Sequence, residues 1–326
     1  MPAGTAQDRG EGGGHLRQRH DENHRGEGMI MPPIPKFYRQ RFLLALLEMA
    51  GSHLSKMDFQ KLLFLSQKET GFSYYDFVPY HYGCYSFQAQ SDIELLESFG
   101  WLEEKAESIE LLAKSGNCLS NDEQTVMGQF VNRFKGYRGQ KLVTYVYERF
   151  PYYATRSKIA ANVLDEDSYK RVKDEVNKLK NKTKAIYTIG YEGRSFEEYA
   201  NQLLRHDVRL LCDVRKNPLS RKFGFSKGVL GRLLPKLGIE YLHMPDLGIH
   251  SEMRKELNTP DDYARLFDVY RKTLPQKEES LRLLKALFEK HKRIALTCFE
   301  KGYNFCHRHC VSDYLASEGD IRILHL

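Results

Sequence analysis

Apolar residues near the start of the ordered-looking chain recur at helical spacing. Phe42, Leu43, Leu46 and Leu47 make one stripe, and Phe59, Leu62, Leu63 and Leu65 make a second after the turn signal Gly51-Ser52. The pattern predicts two helices joined by a short turn. Aromatic, turn-rich sequence from Phe72 to Phe87 follows, then a helix from Ser91 to Phe99. Trp101-Leu102 leads into a short apolar stretch at residues 109–112, so the predicted order is three helices and a small hairpin, that of a winged helix. Residues 165–184 (DEDSYKRVKDEVNKLKNKTK) read as an exposed connecting helix, with Glu166 placed to meet Lys170 and Asp174 to meet Lys178.

Beyond the connector the period changes. Apolar runs at Ala185–Ile189, Val208–Val214, Ile239–His243, Arg293–Cys298 and Ile321–His325 have strand length. Helical patterns separate them at Phe196–Arg205, Lys227–Lys236, Pro260–Tyr270, Glu278–Lys290 and Cys306–Ser317. Strands alternating with helices predict an α/β fold, a mainly parallel, Rossmann-like sheet with flanking helices, preceded by a mostly helical winged-helix-like domain. The expected organisation is a disordered tail over 1–35, the helical domain over 36–165, the charged connector over 166–184 and the α/β domain over 185–326.

Composition changes this picture in few places. With 326 residues, 41% hydrophobic and 29% charged, the chain has ordinary globular usage and length for two domains. Residues 1–28 hold seven glycines and only Leu16 as a large aliphatic, so they cannot offset the entropy of ordering. Apolar runs such as Phe42–Leu47 are far shorter than the roughly 20 residues that span a bilayer, and no secretory signal precedes them. A cytoplasmic protein with reduced cysteines and no membrane partner is expected. The net charge of +7 is modest, but Arg205 to Lys236 holds nine basic residues against Asp207 and Asp213, a local excess equal to that of the whole chain. An anionic partner fits that segment, as does a solvated surface.

Polar clusters follow the predicted strands: Gly190-Tyr191-Glu192-Gly193-Arg194, Asp213-Val214-Arg215-Lys216-Asn217-Pro218, Met244-Pro245-Asp246-Leu247-Gly248, and Cys298-Phe299-Glu300 with Cys306-His307-Arg308. In a parallel sheet these fall on one edge, where ligands bind. Four ordered motifs resemble the bacterial family numbered 488 among the domains of unknown function: Thr188 to Arg194 (T-I-G-Y-x-G-R), Asp213 to Ser220 (D-V-R-x-x-P-x-S), Gly238 to Gly248, and Cys298 to Arg308. The resemblance covers residues 185–326 and implies fold and site while leaving the reaction open. In the amino-terminal half, Tyr82-Gly83-Cys84-Tyr85-Ser86, with Cys84 at a signature proline, resembles the Panacea (SocA-like) antitoxin domain over residues 36–165. That resemblance implies a possible protein partner for this domain.

Chemically, Asp213, Arg215, Cys298, Glu300 and His307 are the expected catalytic set. Glu300 and His307 suit acid–base work, and Cys298 beside a helix amino terminus suits a thiolate. Gly190, Tyr191, Gly193, Arg194, Ser220 and Arg308 are the expected ligand-binding residues, with Arg194, Arg215 and Arg308 as an anion clamp. No cofactor is expected. Zinc is the metal that Cys298, Cys306, His309 and Cys310 would suit, although C-x7-C-x3-C matches no standard finger. Neither a P-loop nor a dinucleotide fingerprint is present. Two functions stand side by side: an enzyme directed at nucleic acid or a nucleotide phosphate, in repair, defence or modification, and a non-catalytic antitoxin-like regulator sensing a small anionic ligand.

Overall fold

The computed structural model describes residues 32–116, 118–180, 183–254 and 257–326. Most of the expected tail, up to residue 31, lies outside the described residues. Both predicted apolar stripes form helices, α1 (Tyr38–Met49) and α2 (Lys56–Glu69), but a strand, β1 (His53–Ser55), takes the place of a bare turn between them. Its partner is distant in sequence, because Leu54 pairs antiparallel with Ile109. A small hairpin, β2 (Val78–Tyr80) and β3 (Gly83–Tyr85), precedes α3 (Phe87–Ser98). The strands β4 (Leu102–Glu104) and β5 (Ser108–Leu111) complete an antiparallel sheet of order β1-β5-β4.

Helices α4 (Asn121–Arg133), α5 (Gly139–Arg149), α6 (Pro151–Ala154) and α7 (Ala160–Val163) enclose the first core. The charged stretch becomes α8 (Glu166–Leu179), capped by the Asp165 carboxylate. It is less exposed than its composition suggests: Val172 is buried and the helix packs against α5 and α6. Lys178 reaches Glu175 at 2.6 Å, three residues back.

The second half alternates as its pattern predicts: β6 (Ala185–Gly190), α9 (Phe196–Arg205), β7 (Leu210–Asp213), α10 (Lys227–Lys236) and β8 (Glu240–His243). Then come α11 (Pro260–Thr273), α12 (Glu278–His291), β9 (Arg293–Cys298), α13 (Arg308–Ser317) and β10 (Ile323–His325). All pairings are parallel, in the order β10-β6-β9-β7-β8. The fourth of these strands in sequence therefore lies between the first and second, whereas a Rossmann sheet runs 3-2-1-4-5. One apolar core forms with α9 and α10, the other with α11, α12 and α13. Strands buried on both faces explain their near-continuous apolar runs.

The halves are in contact along α9. Phe87 meets the edge of Phe196 with ring centroids 5.6 Å apart, and Asn201 donates to the Phe77 carbonyl at 2.7 Å while accepting from the Tyr152 hydroxyl at 2.8 Å. Among the described residues no helix is long and apolar enough to cross a membrane.

Candidate functional site at the strand ends

Register brings the carboxyl ends of four strands together. Gly190 lies opposite Cys298, and Asp213 lies between Thr297 and His243. Two glycines let the loops beyond these ends close. A methyl group on Gly190 would overlap the Glu300 carbonyl, and one on Gly248 would overlap the Lys216 backbone. Tyr191 and Glu192 then both donate backbone N–H groups to the Phe299 carbonyl, at 3.1 and 2.9 Å.

A cleft of about 360 Å³ opens over these loops, lined by Tyr191, Arg215, Lys216, Asn217, Ser220, Arg254, Cys298 and His307. Leu219 and Phe299 stand beside it, 86% and 45% exposed. Behind it, Asp213 and Arg215 form a buried fork: Nε donates to Oδ1 at 2.8 Å and Nη2 to Oδ2 at 2.5 Å. Nη1 donates to the Tyr191 hydroxyl at 3.0 Å and to the Phe225 carbonyl at 2.9 Å, and the Tyr241 hydroxyl donates to Asp213 at 2.7 Å. This pair shapes the wall and has little left for a ligand.

At the floor are Cys298 and His307, with the Cys306 sulfur within 4.8 Å of their donor atoms, and all three are buried. The His307 Nε2 lies 2.9 Å from the Val214 carbonyl. A carbonyl only accepts, so Nε2 carries the hydrogen and Nδ1 presents its lone pair to the cluster. Nδ1 is 3.8 Å from the Cys298 sulfur and accepts from Arg254 Nη2 at 2.8 Å. The same Nη2 is 3.9 Å from that sulfur, and Arg254 Nη1 donates to Glu300 Oε1 at 2.9 Å. The other Glu300 oxygen is buried without a hydrogen-bond partner.

Proton affinities in the cluster diverge. A hydrogen bond from the Cys306 thiol, with the Arg254 guanidinium nearby, holds Cys298 well below the ordinary thiol range against the cost of burial. Burial, followed by that same hydrogen bond, pushes Cys306 up. Burial and then the Cys298 charge push the Glu300 carboxyl up, opposed by Arg254. Such divergence is characteristic of sites that move protons.

The structure thus brings Cys298, Glu300 and His307 together, with Tyr191 and Ser220 on the same cleft. It does not assemble the three-arginine clamp. Arg308 is fully buried and donates to the carbonyls of Glu300 at 2.6 Å and Lys301 at 3.1 Å, fixing the loop after β9. Arg194 and Gly193 line a neighbouring cavity of about 350 Å³ with Arg205 and Lys301. His309 and Cys310 face elsewhere, for His309 accepts from Arg271 at 3.1 Å and lies 3.4 Å from the Cys310 sulfur through the same Nε2. The basic segment is also divided: Arg215 is in the wall, Lys216 in the cleft, and Arg221 and Lys222 in a separate groove beside α3.

Sequence reasoning missed Arg254 and Lys216. Arg254 lies in a short turn, residues 251–254, with no motif around it. Its one available signal is its place soon after a strand that ends in the polar edge. Lys216 stood in the strand-end cluster Asp213 to Pro218 and in the basic run, without a role assigned to it.

Residues 195–315 match the family model described as Domain of unknown function DUF488. The match runs from the cap of α9 into α13 and so includes Asp213, Arg215, Arg254, Cys298, Glu300, Cys306 and His307. No curated protein matches the chain.

Proposed function

We propose that the strand-end cleft is the reaction site of an enzyme that hydrolyses or transfers a phosphate-bearing group of a nucleotide or nucleic acid. The observation that carries this reading is the Cys298–His307–Glu300–Arg254 cluster: a thiol of lowered proton affinity and an imidazole of fixed tautomer at the floor of an open cleft, with a carboxyl of raised proton affinity joined to them through Arg254. Lys216 and Arg254 supply positive charge for an anionic group, and Glu300 has a free oxygen with which to accept a proton. The exposed Phe299 ring beside the cleft offers a face on which a base can stack. Asp213, Arg215 and Arg308 act as positioning residues.

The amino-terminal half supports a docking role. Its order α1-β1-α2-β2-β3-α3-β4-β5, with the sheet order β1-β5-β4, is consistent with a winged-helix-like module, and the Tyr82–Ser86 signature adds the antitoxin-like resemblance. This order favours the second reading, a regulator that binds a small anion in the cleft without turnover. A protein partner on this half and a cytoplasmic location belong to both readings.

Incubating the full chain with mononucleotides and with DNA and RNA oligonucleotides, followed by mass analysis, separates the two. The enzyme reading expects new products from wild type and at least tenfold less from Lys216→Glu. Binding at low salt without any product, lost in Lys216→Glu, would favour the sensor. Longer oligonucleotides should bind with steep salt dependence, log affinity falling about 0.9 per duplex phosphate contact for each tenfold rise in salt, and a single small anion with shallow dependence.

A further inference from the structure

The donor atoms of Cys298, Cys306 and His307 all lie within 4.8 Å of one another, buried at the floor of the cleft. A tetrahedral zinc ion, with bonds of about 2.3 Å to sulfur and about 2.0 Å to nitrogen, holds its ligands about 3.5–3.8 Å apart. The Cys298 sulfur and His307 Nδ1 are 3.8 Å apart, so closure needs only a small movement of Cys306. Orientation favours the same outcome. The Val214 carbonyl holds the Nε2 hydrogen, as a backbone carbonyl commonly does for a metal-bound histidine, and leaves the Nδ1 lone pair directed into the cluster.

Arg254 occupies the space between the donors. Its Nη2 is 2.8 Å from Nδ1 and 3.9 Å from the Cys298 sulfur, so a guanidinium stands where a cation of higher charge would bind. Its side chain is 29% exposed at the cleft and can turn outward, keeping its bond to Glu300, whereas Cys298 is fixed by a strand end and the imidazole by a helix start. Two soft sulfurs and one imidazole select zinc-class ions over magnesium or calcium, which prefer oxygen ligands.

We infer that Cys298, Cys306 and His307 bind a zinc-class divalent ion through two thiolate sulfurs and Nδ1, with a fourth position facing the cleft. This differs from the cysteine-rich set that the sequence suggested, because His309 and Cys310 turn away. A three-ligand site keeps a place for water or a substrate oxygen, and the ion would polarise whichever occupies it. What the ion does there rests on the reading of the cleft as a reaction site; its binding rests on the side chains alone.

The test uses the full reduced chain. Titration with cobalt(II) should produce thiolate-to-cobalt charge transfer and tetrahedral d–d absorption saturating near one equivalent, and zinc should displace both. Cys298→Ser and Cys306→Ser should each lose the charge-transfer intensity and weaken binding at least tenfold, with Cys118→Ser as a control that keeps it. Because a buried substitution can unfold the chain, thiol counting on wild type gives an independent readout: zinc should shield two cysteines from alkylation, identified by mass spectrometry as Cys298 and Cys306. Absence of a cobalt signal, or shielding of other cysteines, would overturn the inference. Product formation undiminished in metal-free protein would overturn the ion's role and leave the reaction site standing, and tight stoichiometric binding with no product would do the reverse.

Discussion

Arg215 looks in sequence like a ligand-binding arginine at a strand end, yet in the fold four of its N–H groups are engaged with Asp213, Tyr191 and Phe225. Asp213 is fully buried, so removing its carboxylate leaves a guanidinium with nothing to balance it. Breaking one side of such a pair costs about 3–5 kcal/mol. Asp213→Ala should therefore lower the unfolding free energy by about that amount in a urea titration, and a loss below about 1 kcal/mol would show that the fork is not structural. The residue types at this edge were legible because strand ends collect chemistry; their division between wall and floor was not, because it depends on which side chains meet across loops. Cys298, Glu300 and His307 share one loop and were found together. Arg254, 44 residues before Cys298, reaches them only through the fold.

At the scale of elements, period and punctuation carried most of the second half: every predicted strand and helix there is present, with ends shifted by a few residues. The strand β1 was missed because three residues pair with a strand more than 50 positions away, and no local pattern encodes that. The interleaved strand order was equally invisible, since alternation fixes parallel pairing but not which strands are neighbours. The motif glycines have an element-level explanation, because the loops after β6 and β9 touch backbone to backbone at Gly190. Gly190→Ala must push the Glu300 carbonyl away. It should cost about 1–3 kcal/mol of stability, an overpacking penalty, and displace Glu300 from Arg254. Chemical denaturation together with a crystal structure of the variant checks this, and an unmoved loop with wild-type stability would contradict it.

Across the whole molecule, the halves meet around one buried carboxylate. Glu197, on α9, accepts the Gln88 N–H at 2.9 Å and the Ser86 hydroxyl at 3.4 Å, at the amino terminus of α3, while its second oxygen has no hydrogen-bond partner. Burial raises its pKa to about 7, opposed by the Gln88 N–H. The folded chain therefore binds more protons here than the unfolded chain between about pH 4.5 and 7. Stability from this group is greatest at the acid end of that window, declines as pH rises through it by about 3 kcal/mol in all, and is level above it. Glu197→Gln should flatten that part of the stability–pH curve, and an unchanged slope would contradict the assignment. Limited proteolysis should also be slow within α8, whose Val172 is buried and which packs against α5 and α6, although composition alone marks residues 165–184 as a connector.

The central claim is that the cleft carries out chemistry, and Glu300 tests it most directly. Its carboxyl combines raised proton affinity with an unpartnered buried oxygen, and glutamine keeps its shape and its contact with Arg254. The decisive measurement is the rate of product formation from the nucleotide and oligonucleotide panel by wild type and Glu300→Gln, with matched melting temperatures. A positioned acid–base group contributes about 10²–10⁴-fold, so the account predicts a loss of at least a hundredfold with substrate binding retained. Equal rates for the two proteins, or no product from either, would contradict it.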